Sequence, residues 1–215
     1  MAGAPQPDPA TVTAEGPARR YLHQMLATLV EFKALPKYQF ERRVDIFLVP
    51  FLPDILRTVL NVEGPIELVA PEFPLKRASN NQSTNADYLL FDHTPGKERW
   101  ILFELKTDDR SLSATQMEAY RRAMEVGMPQ LARDVHQIRK ASKQGRKYAR
   151  LVERLEGYPT DRPLHLVYLS PGALDHELQG ANEHSITFDD LLALELEGEV
   201  WSWVRSTVVR ACATP

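Results

Sequence analysis

The sequence contains a single cysteine, Cys212, among 215 residues. One thiol cannot form an internal disulfide framework or a zinc site built from cysteines. The ten glycines are spread thinly along the chain and form no glycine-rich phosphate loop, which argues against a nucleotide or dinucleotide site of that kind. The chain also lacks the GxSxG sequence of α/β-hydrolases and the HExxH sequence of zinc metalloproteases.

The sequence has no apolar run long enough to cross a membrane, and its N-terminus lacks the basic and apolar regions of a secretion signal. Together with the single cysteine, these absences lead us to expect a cytoplasmic protein without a membrane partner. The net charge of −3 shows no general excess of positive charge. Any contact with a polyanion must therefore come from a local basic patch.

The length and the hydrophobic fraction of 43% are sufficient for one globular core. Residues 1–16 are rich in proline and alanine and predict a disordered tail, so a single domain is expected over 17–215. Apolar residues that recur every three or four positions predict an amphipathic helix over about 18–35. A second helical stretch, interrupted by prolines, is expected over about 40–62.

The segment 100–107, WILFELKT, predicts a buried strand that carries two charged residues. Side chains alternate between the two faces of a strand, so one face is apolar and consists of Ile101, Phe103 and Leu105. The opposite face ends with Glu104 and Lys106. Charged side chains are rarely drawn into an apolar strand without a partner or a function, so these two residues form the first candidate site.

A second short strand is predicted over 86–91, and Asp87 lies at its start. The polar, turn-rich segment 92–99 joins the two strands and predicts a hairpin. In an antiparallel pair, the start of one strand lies beside the end of the next. We therefore expect Asp87, Glu104 and Lys106 to meet at one corner of the sheet.

Two further segments predict strands. Segment 66–75 contains Pro71 and Pro74, which place it at a sheet edge or a bulge. Segment 163–170 is apolar nearly throughout, as in a strand buried on both faces. Helices are expected after the hairpin to about residue 126, from about 130 onward beyond a break at the sequence Gly127-Met-Pro129, and near the C-terminus over 187–197 and 199–210.

The order of the polar residues resembles the PD-(D/E)xK nuclease superfamily, which has the restriction-endonuclease-like fold. The resemblance rests on the pattern D…ExK…QxxxY, which is formed here by Asp87, Glu104, Lys106, Gln116 and Tyr120. It departs from the family at Ala86, where a proline is usual. It implies an α/β protein with an α-β-β-β-α-β core over roughly 40–170, in which helices flank a central mixed sheet of four to five strands.

The resemblance implies a metal-dependent nuclease that acts on nucleic acid, with DNA as the expected substrate and homodimers possible. Asp87 and Glu104 would hold Mg²⁺ or Mn²⁺, and Lys106 would hold the attacking water or offset charge in the transition state. Two alternatives stay open. One is an inactive nucleic-acid-binding or protein-interaction module on the same fold. The other is an unrelated α/β protein in which Glu104 and Lys106 form a surface ion pair.

Gln116 and Tyr120 lie four residues apart on one helical face and could reach a phosphate or orient Lys106. Gln116 also has a structural explanation, because Ser113 and Gln116 match a helix capping box.

Glu41 matches the extra metal-binding glutamate that some members of the superfamily carry on the helix before the sheet. The alternative is a solvated helix face beside Arg42 and Arg43. Glu72 could also approach the site, but no motif supports it.

One strongly basic tract stands out in this acidic chain, and its candidate nucleic-acid-binding residues are Arg139, Lys140, Lys143, Arg146, Lys147 and Arg150. Lys143, Lys147, Arg150 and Arg154 have helical spacing and predict one stripe for phosphate contacts. An ordinary solvated face is the alternative. The six histidines show no metal-ligand spacing and are expected mostly at the surface or at caps.

Overall fold

The structure is a computed structural model. The residues that it describes are 16–33, 35–36, 38–76, 83–108, 114–174, 178 and 180–213. Apart from Gly16, the predicted tail lies outside the described residues, as does the cap residue Ser113.

Three helices precede the sheet. Helix α1 (Pro17–Phe32) and helix α2 (Glu41–Leu48) match the two predicted helical stretches. A single 3₁₀ turn (Val49–Phe51) joins α2 to helix α3 (Leu52–Val59). The prolines responsible for this interruption lie in the first turns of the 3₁₀ segment and of α3, where the missing N–H has no helical partner to lose.

The sheet has five strands in the order of the sequence: β1 (Ile66–Lys76), β2 (Ser83–Asp92), β3 (Arg99–Leu105), β4 (Leu164–Ser170) and β5 (Glu183–Thr187). The first three strands are antiparallel neighbours, and the last three are parallel neighbours. The prediction of an α/β protein with a mixed sheet of four to five strands is therefore confirmed.

Strand β1 lies at one edge of the sheet, as its prolines predicted. Its pairing with β2 shifts at a bulge between Leu68 and Ala70. Strand β5 forms the opposite edge and was not predicted, because its sequence, EHSIT, is short and mostly polar.

Two helices cover one face of the sheet. Helix α4 (Ala114–Ala141) is broken at Gly127, whose φ of 64° and ψ of 176° are not helical, two residues before Pro129. The predicted break is therefore confirmed. After a short turn, helix α5 (Gly145–Leu155) packs beside α4 and β1.

The C-terminal segment packs on the other face and contains helix α6 (Phe188–Ala193), helix α7 (Glu199–Val204), a π-helical turn (Arg205–Val209) and helix α8 (Arg210–Ala213). Helix α6 begins with a capping box, in which the hydroxyl of Thr187 accepts from the backbone N–H of Asp190 and the carboxylate of Asp190 accepts in return. Within the described ranges, no helix is long and apolar enough to cross a membrane.

The sheet separates two apolar cores. On β3, Ile101, Phe103 and Leu105 pack with α1–α3 and the C-terminal helices. Trp100 and Leu102 pack with α4 and α5. The predicted alternation is therefore confirmed, and it places Glu104 on the face that α4 covers.

Two histidines on adjacent strands contact each other. The Nδ1 atom of His165 on β4 lies 3.0 Å from Nε2 of His184 on β5, and the ring planes differ by only 4°. With centroids 5.4 Å apart, the rings lie nearly in one plane and share one N–H···N hydrogen bond. Both residues are half-buried, so the prediction of surface or cap histidines is wrong for this pair.

This pair predicts that the protein loses stability in mild acid. Burial lowers the pKa of His165 from 6.5 to about 4, and burial likewise lowers the pKa of His184. The unfolded chain therefore binds more protons than the folded one between these pH values. The contribution of the neutral pair to the free energy of unfolding is fully present above pH 6.5 and is lost as the pH falls toward 4. After allowance for solvent screening we expect a loss on the order of 1 kcal/mol, or roughly 2–4 °C in Tm.

The measurement is thermal unfolding of wild type and of the double variant His165→Gln/His184→Gln from pH 4 to pH 8. The double variant should show a smaller loss of Tm in acid. The control His136→Gln removes an exposed histidine of α4 and should follow the wild type. An unchanged acid loss in the double variant would contradict the assignment.

Candidate active site

Asp87 and Glu104 lie opposite each other on neighbouring strands. Tyr88 pairs with Phe103 in the antiparallel register, which makes Asp87 the cross-strand neighbour of Glu104. The Oδ2 atom of Asp87 accepts a hydrogen bond of 2.7 Å from the backbone N–H of Leu105. The backbone N–H of Asp87 is 3.4 Å from Oε2 of Glu104. The structure thus brings together the two carboxylates that the sequence predicted would meet.

Glu104 is almost completely buried, with 1% of its surface exposed, and four donors surround its carboxylate. The Nζ atom of Lys106 lies 2.6 Å from Oε1, and Gln116 Nε2 donates to the same oxygen. The hydroxyl of Tyr120 donates to Oε2, the oxygen that also faces the Asp87 N–H. A carboxylate offers about four lone-pair positions, so these donors satisfy it.

Lys106 is buried as well, with 6% of its surface exposed. Its backbone N–H donates to the carbonyl oxygen of Leu169 on β4 at 2.7 Å, which fixes the chain just beyond the end of β3. The interpretation of Glu104 and Lys106 as a surface ion pair is therefore wrong, because neither group reaches bulk water. An ion pair at this depth is stable only with good geometry and further hydrogen bonds, and the site provides both.

Gln116 and Tyr120 direct their polar atoms at Glu104 rather than at Lys106. They lie four residues apart in the first turns of α4, on the face that packs against the sheet. Tyr120 is fully buried and packs edge-on against Tyr168, with ring centroids 5.5 Å apart. The two side chains therefore fix the orientation of the Glu104 carboxylate.

Glu41, the first residue of α2, also faces the site. Its Oε1 atom lies 3.6 Å from Lys106 Nζ, and Oε2 is 3.4 Å from the backbone N–H of Thr107. The solvated-face interpretation of Glu41 is wrong, since this half-exposed carboxylate points toward the buried lysine. Lys106 thus lies between a buried and a half-exposed carboxylate.

Asp45, one turn after Glu41, connects α2 to the sheet. Its Oδ2 atom accepts a hydrogen bond of 3.0 Å from the hydroxyl of Tyr88, while the buried Oδ1 atom has no hydrogen-bond partner among the described residues. Burial and the nearby Asp45 carboxylate raise the pKa of Tyr88 above its usual range. The sequence signal for Asp45 was its spacing of four from Glu41, but that spacing does not reveal which way the helix faces.

The charges of the site perturb one another. Burial raises the pKa of Asp87 to about 8, and the neighbouring Glu104 carboxylate contributes to the rise. Burial also raises the pKa of Glu104, against the opposing effect of Lys106. Burial alone would lower the pKa of Lys106, but the Glu104 carboxylate raises it overall. Lys106 is therefore a cation at neutral pH. The carboxyl groups around it outnumber it, so a further cation would reduce the repulsion among them.

The residues fit a divalent cation that also contacts substrate. Among the described residues, no group of three or more histidine, cysteine or acidic side chains is arranged to hold a metal. Mg²⁺ commonly binds through only one or two carboxylates, with phosphate and water as the other ligands. Asp87 can supply its Oδ1 atom, to which no donor among the described residues is directed. Glu104 can join only if one of its donors moves, because its lone pairs are already engaged.

Five of the six predicted nucleic-acid-binding residues line one of two cavities beside α5. Arg139, Lys140 and Arg146 line a cavity of about 480 Å³ between α4 and α5. Lys147 and Arg150 line a separate cavity of about 460 Å³ between α5 and β1. Lys143 lies in the turn before α5, so the predicted four-residue helical stripe is wrong at its first member.

The raised pKa of Asp87 predicts that the variant Asp87→Asn is more stable than wild type in metal-free buffer. Folding raises this pKa from 3.8 to about 8, so the folded state binds the proton more tightly. Wild-type stability therefore falls as the pH rises through this window. Asparagine carries no charge, can still accept the Leu105 N–H, and should be more stable by on the order of 2 kcal/mol at pH 8.

The measurement is urea unfolding with EDTA at pH 4 and pH 8, where the two proteins should differ only at the higher pH. Glu118→Gln, an exposed substitution on the same helix as Gln116, is the control and should have no effect. A destabilised Asp87→Asn at pH 8 would show that the ionised carboxylate is favourable in the folded protein.

Comparison with known proteins identifies no relative of this chain. No protein-family model, no curated protein and no solved structure matches the chain. The assignment to the PD-(D/E)xK superfamily therefore stays a prediction that rests on the residues of the site and their order in the sequence.

Proposed function

We propose that this protein is a metal-dependent nuclease that hydrolyses phosphodiester bonds of nucleic acid, with DNA as the expected substrate. The observation that carries the proposal is the cross-strand pair of Asp87 and Glu104 with the buried cation Lys106 beside it. Three ionisable groups buried together at one end of a sheet are costly for stability alone, so a functional use accounts for them better. The cofactor expected is Mg²⁺ or Mn²⁺.

The proposed chemistry is attack of water on phosphorus with loss of one P–O ester bond. Asp87 would hold the divalent cation, and Glu104 would join it once one of its donors moves; when bound, the cation would polarise a phosphoryl oxygen and lower the pKa of water. Lys106 presents an ammonium group that can hold the attacking water and offset negative charge in the transition state. Its partners Glu104 and Glu41 keep that ammonium group charged.

Gln116 and Tyr120 are positioning residues in this proposal. Each donates a hydrogen bond to one oxygen of Glu104, so each limits the rotation of the carboxylate. Groups that orient a metal ligand support metal affinity without touching the metal.

One observation favours a second candidate function, that of a nucleic-acid-binding or protein-interaction module without catalysis. The donors around Glu104 satisfy its carboxylate without any metal, as they would in a purely structural ion pair. The two functions differ in whether a divalent cation binds at Asp87 and Glu104.

Metal binding is the first test of the proposal. We expect isothermal titration with Mn²⁺ to detect a site in the wild type, and Asp87→Ala and Glu104→Ala to weaken it at least roughly tenfold. Circular dichroism confirms that each variant is folded. Glu118→Ala removes an exposed carboxylate from α4 and should bind Mn²⁺ like the wild type. Equal binding in all four proteins would favour the non-catalytic module.

Cleavage tests the role of Lys106. In Mg²⁺ buffer the wild type should cut labelled DNA oligonucleotides, and Lys106→Met should reduce the rate by roughly 100-fold or more, because the positive charge beside the reacting phosphate is lost. Methionine keeps most of the buried volume and leaves Asp87 and Glu104 for the metal. The control Lys97→Ala removes an exposed lysine from the β2–β3 turn. A Lys106→Met variant that cuts at the wild-type rate would remove Lys106 from the mechanism.

A further inference from the structure

The cavity between α5 and the β1–β2 pair has two chemically different walls. Helix α5 contributes three cations, Lys147, Arg150 and Arg154. The strands contribute Glu72 and Asn85. The remaining surface is largely apolar and includes Val69, Ala70, Pro71, Pro74, Tyr148 and Leu151. The volume of about 460 Å³ falls within the range of small-molecule sites.

The cavity opens beside the candidate active site. Asn85 lies two residues before Asp87 on β2, a separation of about 7 Å along a strand. Glu72 lies between Pro71 and Phe73, the partners of Tyr88 and Ala86, and is therefore at the register position opposite Asp87. A nucleic-acid strand covers this distance in one or two nucleotides.

The wall of the cavity that α5 forms can bind anions. Within the described part of the chain, Lys147 and Arg150 are exposed and form no ion pair with a carboxylate. Arg154 donates to the backbone carbonyl oxygen of Leu68 at 3.1 Å, which holds it against β1. Because a carbonyl oxygen does not neutralise the guanidinium charge, all three groups contribute positive potential to this wall.

The wall of the cavity that β1 and β2 form favours one orientation of a bound nucleic-acid strand. Among the described residues that line the cavity, Glu72 alone is acidic, and its Oε2 atom accepts a hydrogen bond of 3.0 Å from Asn85 Nδ2. Glu72 would repel a phosphate but can accept a hydrogen bond from a base. Phosphates are therefore favoured along α5 and bases toward the strands. Tyr148 supplies an aromatic face on which a base can stack.

The edge of the sheet also argues against a peptide that adds a strand here. Pro71 and Pro74 have no N–H to donate, and the backbone of Glu72 is left-handed, with φ of 50°. The bulge after Leu68 further breaks the regular ladder. Such an edge offers a poor template for an additional strand.

We propose that this cavity, lined by Lys147, Arg150, Tyr148, Asn85 and Glu72, binds a single-stranded segment of nucleic acid next to the bond to be cut. The inference rests on the proposed nuclease function and adds the class of substrate. A duplex presents its phosphates outward and keeps its base faces stacked, so its bases cannot pack on the apolar surface of the cavity or stack on Tyr148. An unstacked strand can contact the apolar surface of the cavity, stack a base on Tyr148 and place its phosphates beside the cations.

The test measures binding without cleavage. Fluorescence anisotropy in EDTA compares a labelled single-stranded DNA of about twelve nucleotides with the duplex of the same sequence. The full-length wild type should bind the single strand at least about fivefold more tightly. Lys147→Ala/Arg150→Ala should weaken single-strand binding roughly tenfold and reduce the salt slope by about 1.4, because about 0.7 counterion is released per phosphate contact. Tyr148→Leu should weaken binding at least about fivefold without changing that slope.

The control is Lys97→Ala/Arg133→Ala, which removes two exposed charges that line neither cavity. Equal weakening in this control, or tighter binding of the duplex, would overturn the inference. Mn²⁺ titration of Lys147→Ala/Arg150→Ala should give the wild-type affinity, which keeps the two proposals separate. If the cavity residues are needed for single-strand binding but no metal binds, the cavity proposal stands and the nuclease proposal fails. If a metal binds but the cavity residues do not affect single-strand binding, the nuclease proposal stands and the cavity proposal fails.

Discussion

The ion pair between Glu104 and Lys106 is the constraint on which the site depends. A buried carboxylate is costly unless its lone pairs are engaged, and here the donors come from β3, from β2 and from α4. Satisfying one side chain therefore fixes the relative position of three elements. Glu41 extends the same network to α2 through Lys106. The sheet and both helical layers thus converge on one cation and its neighbouring carboxylates.

The part of this arrangement that could be predicted is local in sequence. Alternation along 100–107 identified which side of β3 is apolar, and the turn-rich link to β2 predicted the hairpin. Once the two strands are antiparallel, the meeting of Asp87 with Glu104 follows from geometry alone. The spacing of Gln116 and Tyr120 likewise follows from helical periodicity. None of these inferences requires knowledge of how distant segments pack.

The features that were missed or wrong depend on such packing. Strand β5 has too little apolar sequence to be distinguished from a loop, and pairing with the buried β4 creates it. The direction of Glu41 is set by how α2 docks on the sheet, partly through Asp45 and Tyr88. The basic residues line two cavities according to how α5 packs beside α4 and β1, which the charge pattern does not reveal.

The change from antiparallel to parallel pairing at β3 has a kinetic consequence. The antiparallel half is continuous from β1 to β3, so its contacts close short loops, whereas β4 reaches β3 only after the whole of α4 and α5. The hairpin can therefore bring the two carboxylates together while both are still hydrated. Gln116 and Tyr120 follow Glu104 by only 12 and 16 residues, so these α4 contacts close loops as short as the hairpin, and the distant pairing that completes the site is that of β4 with β3. We therefore expect the electrostatic cost of completing the site to fall on the pairing of β4 rather than on formation of the hairpin.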